Sequence, residues 1–293
     1  MKRNLFLATL ILVCNVISAQ LHGVVRDSLS RAPISYVNIS VENENIGTTS
    51  EENGEFHMPV YDNNKRLIFS ALGFEKKRIK VSQAAQVYLK PMAYQLDEVV
   101  ISKRYKTRER EIGKVENQYF QAFDNGPRID TKFFRYDPSY KKTKFIKQVV
   151  ISTDSKVDDA TFKIHFYNVD LNGFPGEEML SKDFIVSVSK GVKQTKFNVA
   201  KFNLRMPKDG LFVGFEKLII EKNKFERTVT DPNTQRIQIQ KTFYPFVLYA
   251  TIERDFIFTF SGGKWIKQTP QNPNDSSVKM KVNEPVINLI LTN

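Results

Sequence analysis

Apolar and polar residues alternate over short stretches of this chain, and residues that favour turns separate these stretches. In residues 34–41, for example, Val37 and Ile39 fall on one side of the alternation and polar residues on the other, as expected where successive side chains of a strand point to opposite faces. Asn53-Gly54 is a pair that tolerates the positive φ angles of a tight hairpin turn. Seven such strands within residues 20–91 predict a small antiparallel β-sandwich.

The same pattern returns in residues 133–293. Its clearest case is the alternation of Phe162, Ile164 and Phe166 with Lys163, His165 and Tyr167. This period of two predicts a half-buried strand from which His165 points to solvent. Enough further strands follow for two stacked sheets, so we predict a second β-sandwich of jelly-roll-like type. The expected fold class is therefore all-β, with two β-sandwich domains.

Residues 92–132 are predicted to form a linker between the two modules. Charged residues crowd residues 103–111, and few apolar residues accompany them. This composition is typical of a short solvated helix or of a mobile segment. Gly126-Pro127 would end any helix before the second module begins.

The first nineteen residues, 1–19, have the composition of a signal peptide. Lys2 and Arg3 form a positively charged start, residues 5–17 form an apolar run, and Ser18-Ala19 supplies small residues for cleavage. We therefore expect an exported protein, located in the periplasm or associated with the outer membrane. No later apolar run approaches the length of a membrane span, so no transmembrane segment is expected in the mature chain.

Cysteine content and charge narrow the possible functions. Cys14 is the only cysteine and lies in the predicted leader, so the mature chain would have no disulfide, no thiolate metal site and no cysteine nucleophile. The formal net charge is +12. Attraction to a polyanion is one explanation of this charge, and an ordinary solvated surface is the one we favour. Nucleic acid is not an expected partner, because an exported protein without a recognition-helix pattern is a poor candidate for it.

Residues 20–91 also resemble a known family. The motifs that carry the resemblance are Gly23-Val24-Val25, Pro33 to Ile39, Ile46 to Thr49, Asn53 to Phe56, Leu67 to Ser70 and Leu72 to Phe74. In this order they are similar to the carboxypeptidase regulatory-like domain, whose fold is a transthyretin-like (prealbumin-like) β-sandwich. The resemblance implies an accessory module without catalytic activity of its own.

No recognisable catalytic or metal-binding motif occurs in the sequence. None of His22, His57 and His165 begins a His-x-x-Glu pair of the zinc carboxypeptidase type, and there is no Gly-x-Ser-x-Gly elbow. Residues 168–173 are similar to the start of a calcium loop, but the twelfth position is Met179 and not the glutamate that such a loop requires, so a plain turn is expected. We predict no enzyme activity, no catalytic residue, no cofactor and no bound metal.

Three aromatic residues are candidates for ligand binding. Sugar rings stack on tryptophan and tyrosine, because the C–H face of a sugar is apolar. The candidates are Trp265, which is the only tryptophan, Tyr136 and Tyr140. The sequence thus predicts a non-catalytic exported protein with a binding or structural role in the cell envelope, and an envelope protein or a glycan as its partner. The alternative is a carbohydrate-binding accessory protein of an outer-membrane glycan-uptake system.

Overall fold

Extended strands make up nearly all the regular structure of this chain. The computed structural model describes residues 21–60, 62–92, 108–115, 118–123, 127–232, 234–270 and 279–293. These residues form twenty-three strands and four short 3₁₀ helices, at Val81–Gln83, Pro138–Lys142, Ala200–Phe202 and Glu221–Asn223. In this described part of the chain, no helix is long and apolar enough to cross a membrane. The predicted all-β class is confirmed, and the predicted signal peptide lies outside the described residues.

The part of the first module that the structure describes forms seven strands in two sheets. Their bounds are β1 Leu21–Asp27, β2 Asn38–Val41, β3 Gly47–Thr49, β4 Glu55–Met58, β5 Arg66–Ser70, β6 Lys77–Lys80 and β7 Gln86–Leu89. One sheet has the order β4-β1-β7, and the other has the order β3-β2-β5-β6. The pairs are antiparallel except for β1 with β7, which are parallel. The sandwich is therefore antiparallel as predicted, with this one exception.

Apolar side chains from both sheets meet inside the first module. Val25, Ile39, Phe56 and Phe69 are almost completely buried there, and removal of such surface from water is the main force that holds a small sandwich together. Gly54 ends the turn before β4 with a φ of +80°, and a Cβ atom at this position would lie 2.6 Å from the carbonyl oxygen of Val25. Glycine is therefore required in this turn.

The described residues of the second module form sixteen strands. Their bounds are β8 Glu109–Ile112, β9 Ile129–Phe134, β10 Phe145–Ser155, β11 Ala160–Val169, β12 Pro175–Glu178, β13 Phe184–Val188, β14 Gly191–Asn198, β15 Leu211–Lys217, β16 Lys224–Thr230, β17 Ile237–Phe243, β18 Phe246–Val247, β19 Tyr249–Arg254, β20 Ile257–Ser261, β21 Lys264–Gln268, β22 Met280–Pro285 and β23 Ile287–Thr292. A five-stranded sheet has the order β14-β10-β23-β8, with β18 paired to β10. A seven-stranded sheet has the order β12-β11-β15-β9-β20-β21, with β13 paired to β11. The strands β16 and β17 form a separate hairpin, and β19 pairs with β22.

The five-stranded and seven-stranded sheets face each other and enclose the main core. Phe162 and Phe166 of β11 are fully buried in it, together with Ile151 of β10 from the opposite sheet. The ring of Phe162 lies 4.7 Å from that of Phe215 and 5.7 Å from that of Phe197, measured between centroids. The apolar face predicted for β11 is therefore the face that fills the sandwich.

The prediction of a linker over residues 92–132 is wrong for two stretches, because strand β8 and most of strand β9 lie within these residues. β8 forms an edge of the five-stranded sheet, where Ile112 pairs with Leu289, and β9 lies between β15 and β20 in the seven-stranded sheet. β8 carries mainly charged side chains, since an edge strand can be held by backbone hydrogen bonds while its side chains face water. Residues 93–107 lie outside the described residues.

The first module packs on the outer face of the seven-stranded sheet and on the segment that follows β15. Oγ1 of Thr49 accepts a hydrogen bond of 3.0 Å from the backbone N–H of Ile219. Oε1 of Glu51 accepts one of 2.8 Å from the N–H of Glu221. The two sandwiches therefore share an interface, and a sheet face that the period-two pattern assigns to solvent is covered by protein.

Truncation of Phe162 tests the position of the main core. Phe162→Ala removes a fully buried ring and leaves a cavity, so we expect the free energy of unfolding to fall by about 3–5 kcal/mol. Urea denaturation followed by intrinsic fluorescence measures this loss. Phe120→Ala is the matched control, because Phe120 is 37 % exposed, and its cost should be about 1 kcal/mol or less. Equal losses in the two variants would contradict this description of the core.

Candidate functional site

Three buried and two partly buried charged residues lie where the seven-stranded sheet meets the first module. β11 contributes Lys163 and His165, β15 contributes Glu216, β12 contributes Glu178, and Asp183 directly precedes β13. The exposed fraction is only 2 % for Lys163, 7 % for His165 and 2 % for Glu216. We call these five residues the interface cluster. Burial of so many charges is expensive unless the charges are paired, so their partners decide what the cluster can do.

Strand geometry explains why members of the interface cluster meet. Lys163 and His165 are two positions apart on β11 and therefore share a face. On the neighbouring strand β15, Glu216 pairs with Lys163, and Gly214 lies opposite His165. A Cβ atom at Gly214 would lie 2.8 Å from a methyl group of Ile129 and 3.3 Å from the Cβ of His165. The glycine thus leaves room for the imidazole beside its carboxylate partner.

The imidazole of His165 is held between two carboxylates. Its Nδ1 lies 2.9 Å from Oε2 of Glu178, and its Nε2 lies 2.8 Å from Oε2 of Glu216. Burial disfavours the charged ring, but the two carboxylates outweigh burial and raise the pKa of His165 to about 10. Burial also opposes the charge of Glu216, yet Lys163 and His165 lower the pKa of that carboxyl to about 2. At neutral pH, His165 is therefore an imidazolium that donates a hydrogen bond from each nitrogen.

Two hydrogen bonds join the interface cluster to the first module. Nζ of Lys163 donates to the carbonyl oxygen of Tyr36 at 2.7 Å, and it forms an ion pair of 2.8 Å with Oδ2 of Asp183. Nδ2 of Asn38 donates to Oε1 of Glu216 at 2.8 Å. Burial disfavours the charge of the lysine, but Glu216 and Asp183 together raise the pKa of Lys163 above its ordinary value. The modules are thus held together by hydrogen bonds between charged side chains of the second module and uncharged groups of the first module.

A cavity of about 220 Å³ lies between the two modules beside the interface cluster. Phe74 and Lys76 belong to its first-module wall, Phe260 and Trp265 belong to its second-module wall, and the cluster forms its polar part. Oδ1 of Asp183 is buried there without a hydrogen-bond partner. An unpaired buried acceptor is costly, and because this atom has almost no accessible surface, it belongs to the packed interface and not to the open wall of the cavity.

Trp265, on β21, is the predicted ligand-binding residue that the structure brings to the cavity. Its ring meets the rings of Tyr167 and Phe260 edge to face, each at a centroid distance of 5.2 Å. Tyr167 in turn stacks on His165 at 5.5 Å, and Nζ of Lys76 lies 5.3 Å from the centre of the Phe260 ring. The aromatic wall of the cavity is therefore continuous with its charged wall.

The other two predicted ligand-binding residues lie elsewhere. Tyr136 and Tyr140 pack against each other at a centroid distance of 6.0 Å and also against the main core of the second module. The guanidinium of Arg110 lies over the ring of Tyr140 at 5.6 Å. Neither tyrosine lines the cavity between the modules, so the structure does not bring them together with Trp265.

The prediction that His165 points to solvent is wrong. The alternation along β11 correctly assigns Lys163 and His165 to the face opposite the core, but the first module covers that face. Sequence analysis also missed the acidic members of the interface cluster. Of these acidic residues, Glu216 could have been found from the sequence, because it directly follows the apolar run of residues 211–215. A charge in such a strand is buried only with a partner, which would have indicated an ion pair.

The remaining candidate residues have structural explanations. His22 and His57 are cross-strand neighbours on β1 and β4, with ring nitrogens 2.8 Å apart at an exposed position. In the loop after β11, Oδ1 of Asp170 accepts hydrogen bonds of 2.8 Å from the N–H groups of Asn172 and Phe174, which is the geometry of an Asx turn. Within the described ranges, no group of three His, Cys, Asp or Glu side chains is arranged to hold a metal ion.

Comparison with known families concerns the first module. Residues 21–101 match the family model of the CarboxypepD_reg-like domain. The first module is a carboxypeptidase regulatory-like domain. The resemblance carried by the motifs Pro33 to Ile39 and Asn53 to Phe56 is thereby confirmed, and the match ends before the strands of the second module.

No curated protein matches this chain. One solved structure with some similarity is described as "Structure of infectious bursal disease virus Gx strain", at 11 % sequence identity and a TM-score of 0.23. The alignment covers 93 % of this chain, and this chain spans 60 % of the length of that one. A TM-score of this size carries no argument about the fold or the function.

The interface cluster predicts how stability depends on pH. The pKa of His165 rises from 6.5 to about 10 on folding, so its contribution to stability is complete below pH 6.5 and is lost as the pH rises through about 10. The pKa of Glu216 falls from 4.5 to about 2, so its contribution is complete above pH 4.5 and is lost as the pH falls through about 2. We therefore expect both contributions together in the window between pH 4.5 and 6.5.

Thermal unfolding of the mature chain over a series of pH values measures this dependence. The His165→Gln variant should melt at a lower temperature within that window, and its melting temperature should fall less steeply than that of the wild type as the pH rises. His57→Gln is the control, because His57 lies at an exposed position of the first module. This variant should show the same fall in melting temperature at alkaline pH as the wild type. An identical fall in melting temperature with rising pH for wild type and His165→Gln would contradict the assigned role of this histidine.

Proposed function

We propose that this chain is a non-catalytic binding protein of the cell envelope. The observation that carries the proposal is the state of His165. Both of its ring nitrogens are bonded to carboxylates, and its pKa is about 10. At neutral pH the ring therefore holds a proton on each nitrogen and has no lone pair with which to accept another. A general base must accept a proton at the working pH, so this residue is unsuited to that task.

The buried lysines support the same conclusion. A catalytic lysine requires a lowered pKa so that its amine is a free nucleophile, whereas the surrounding carboxylates raise the pKa of Lys163 after burial has opposed its charge. Burial does lower the pKa of Lys132, but its Nζ lies 3.2 Å from Oε2 of Glu284 and donates to the carbonyl oxygen of Gly113 at 2.5 Å. Lys132 therefore connects β9 with β22, and Lys163 connects β11 with the first module.

A binding role is supported by the cavity of about 220 Å³ that the two modules form together. A location in the envelope is supported by the composition of residues 1–19, which is that of a signal peptide. The carboxypeptidase regulatory-like domain implies an accessory role, which agrees with binding. The alternative, a carbohydrate-binding accessory protein of a glycan-uptake system, is favoured by the position of Trp265 in the cavity wall.

Loss of the Asn38 side chain tests whether the modules act as one unit. Asn38→Ala leaves Oε1 of Glu216 buried without its donor, and we expect a loss of about 1–3 kcal/mol, because an unsatisfied buried charge bears its desolvation cost. Scanning calorimetry should detect a lower unfolding temperature and separate transitions for the two modules. Asn64→Ala is the matched control in the same module, since Asn64 is exposed. Equal behaviour of the two variants would contradict the coupling.

Export and turnover test the proposed function itself. When the full chain is produced with its own leader in a Gram-negative host, we expect the mature form, starting at Gln20, in the periplasmic or outer-membrane fraction. Incubation with peptide, ester and glycoside substrates should give no turnover that is lost in the His165→Gln variant. Retention of the leader in the cytosol would overturn the envelope assignment. A reaction that depends on His165 would overturn the non-catalytic assignment.

A further inference from the structure

Strands β16 and β17 form a hairpin that pairs with no other strand among the described residues. We call this hairpin the arm. Its base is anchored, because the ring of Phe225 lies 6.0 Å from that of Tyr244, a residue of the main core, measured between centroids. Farther out, the residues from Ile237 to Lys241 are all exposed, and an isolated two-stranded hairpin is at best marginally stable in water. A further strand along its edge would therefore stabilise the arm.

The free edge of the arm suits a second copy of this chain. We propose that β17 pairs antiparallel with β17 of that copy, with Ile239 facing Ile239, so that two arms form one four-stranded sheet. Among the described residues, none from the arm lines the cavity between the modules. Dimerisation through the arm therefore goes beyond the proposed binding role and does not depend on it.

Hydrogen bonds at the two ends of the arm establish its ladder. Near the tip, the N–H of Asp231 donates to the carbonyl oxygen of Arg236 at 2.9 Å. At the base, the N–H of Tyr244 donates to the carbonyl oxygen of Asn223, also at 2.9 Å. In an antiparallel ladder, pairs that exchange hydrogen bonds alternate with pairs that do not. Counted inward from either end, the two bonds give the same alternation along the arm.

This alternation shows which backbone groups of β17 point away from β16. Gln238 and Gln240 fall on pairs that exchange hydrogen bonds with β16, so the backbone groups of Ile237, Ile239 and Lys241 point outward. The same five residues form the exposed stretch of the strand, and Ile239 is its midpoint. A second copy centred on Ile239 would pair Ile237 with Lys241 and Ile239 with itself. Every outward N–H and C=O of the stretch would then find a partner.

The charges of β17 are compatible with self-pairing. Between Arg236 and Lys241 the strand has no charged side chain, whereas natural edge strands are commonly protected by charges, as β8 is. In the register centred on Ile239, Lys241 faces Ile237 of the second copy and Arg236 faces Thr242. No like charges therefore stand opposite each other, which would otherwise destabilise the sheet.

Two exposed isoleucines give the self-paired edge an apolar contact. The exposed fraction is 74 % for Ile237 and 64 % for Ile239. They are two positions apart on one strand, so their side chains share a face. In the four-stranded sheet the isoleucines of both copies would be neighbours on that face. Part of their surface would be removed from water, which favours association.

Analytical ultracentrifugation of the full mature chain measures this association. Sedimentation is recorded at chain concentrations from about 1 µM to about 500 µM, which span weak and moderate affinities. We expect a reversible equilibrium between monomer and dimer with a Kd of about 10–100 µM, because a contact of one strand pair is smaller than the interfaces of permanent complexes.

Substitutions of Ile239 test the register, because this residue would face itself in the dimer. Ile239→Glu and Ile239→Lys each place like charges opposite each other, so each should raise the Kd at least about tenfold. An equimolar mixture of the two variants should recover the dimer, since opposite charges then face each other. Because Ile239 is mostly exposed, both variants should keep the melting temperature of the wild type.

The other edge of the arm supplies the matched controls. Thr228 is the cross-strand partner of Ile239 on β16 and is exposed, but its outward backbone groups lie on the edge away from the second copy. Thr228→Glu and Thr228→Lys should therefore dimerise as the wild type does.

Three outcomes would overturn the inference. The first is a wild type that stays monomeric at every concentration, which would leave a strand of another protein as the occupant of this edge. The second is a dimer that both Ile239 variants retain. The third is a dimer that both variants lose and their mixture does not recover, or that the Thr228 variants lose equally. Because the first outcome needs only the wild type, the test remains decisive if a variant fails to fold.

Discussion

One buried carboxylate connects the two modules of this chain. Glu216 lies within hydrogen-bonding distance of His165 and Asn38, and Lys163 adds its charge from the neighbouring strand. A buried charge that lost these partners would be strongly unfavourable, so the first module must sit where Asn38 reaches the carboxylate. Apolar burial adds stability without direction, whereas these charged hydrogen bonds require one relative placement of the two sandwiches.

The same requirement limits the chemistry of the site. His165 has the residue type of a general base, but its two carboxylate partners keep it protonated at neutral pH. Asp183 pairs one oxygen with Lys163, and its other oxygen is buried without a partner. Residues that suggest catalysis by their type are thus explained by assembly of the interface, and the cavity lined by Trp265 supports the proposed binding role.

Much of the fold could be predicted, because strand periodicity and turn chemistry are local. The burial of Phe162 and Phe166 follows from their alternation with polar residues along the strand. The positive φ of Gly54 could be expected, because the tight turn at Asn53-Gly54 requires a conformation that glycine adopts easily. β8 could not be predicted in the same way, because backbone hydrogen bonds hold Glu109–Ile112 at a sheet edge and carry no side-chain signature. The separation of Tyr136 from Trp265 likewise depends on contacts that neither local segment encodes.

By itself, the sequence determined the two β modules, the family of the first module, and the placement of Lys163 and His165 on one strand face. Only the tertiary structure decided that this face is buried and that Trp265 stands beside it. Alternation records which side chains share a face, and it does not record what lies opposite. What lies opposite a strand face depends on residues far apart in the chain, such as Asn38 and Glu216, which meet only after both sandwiches have formed.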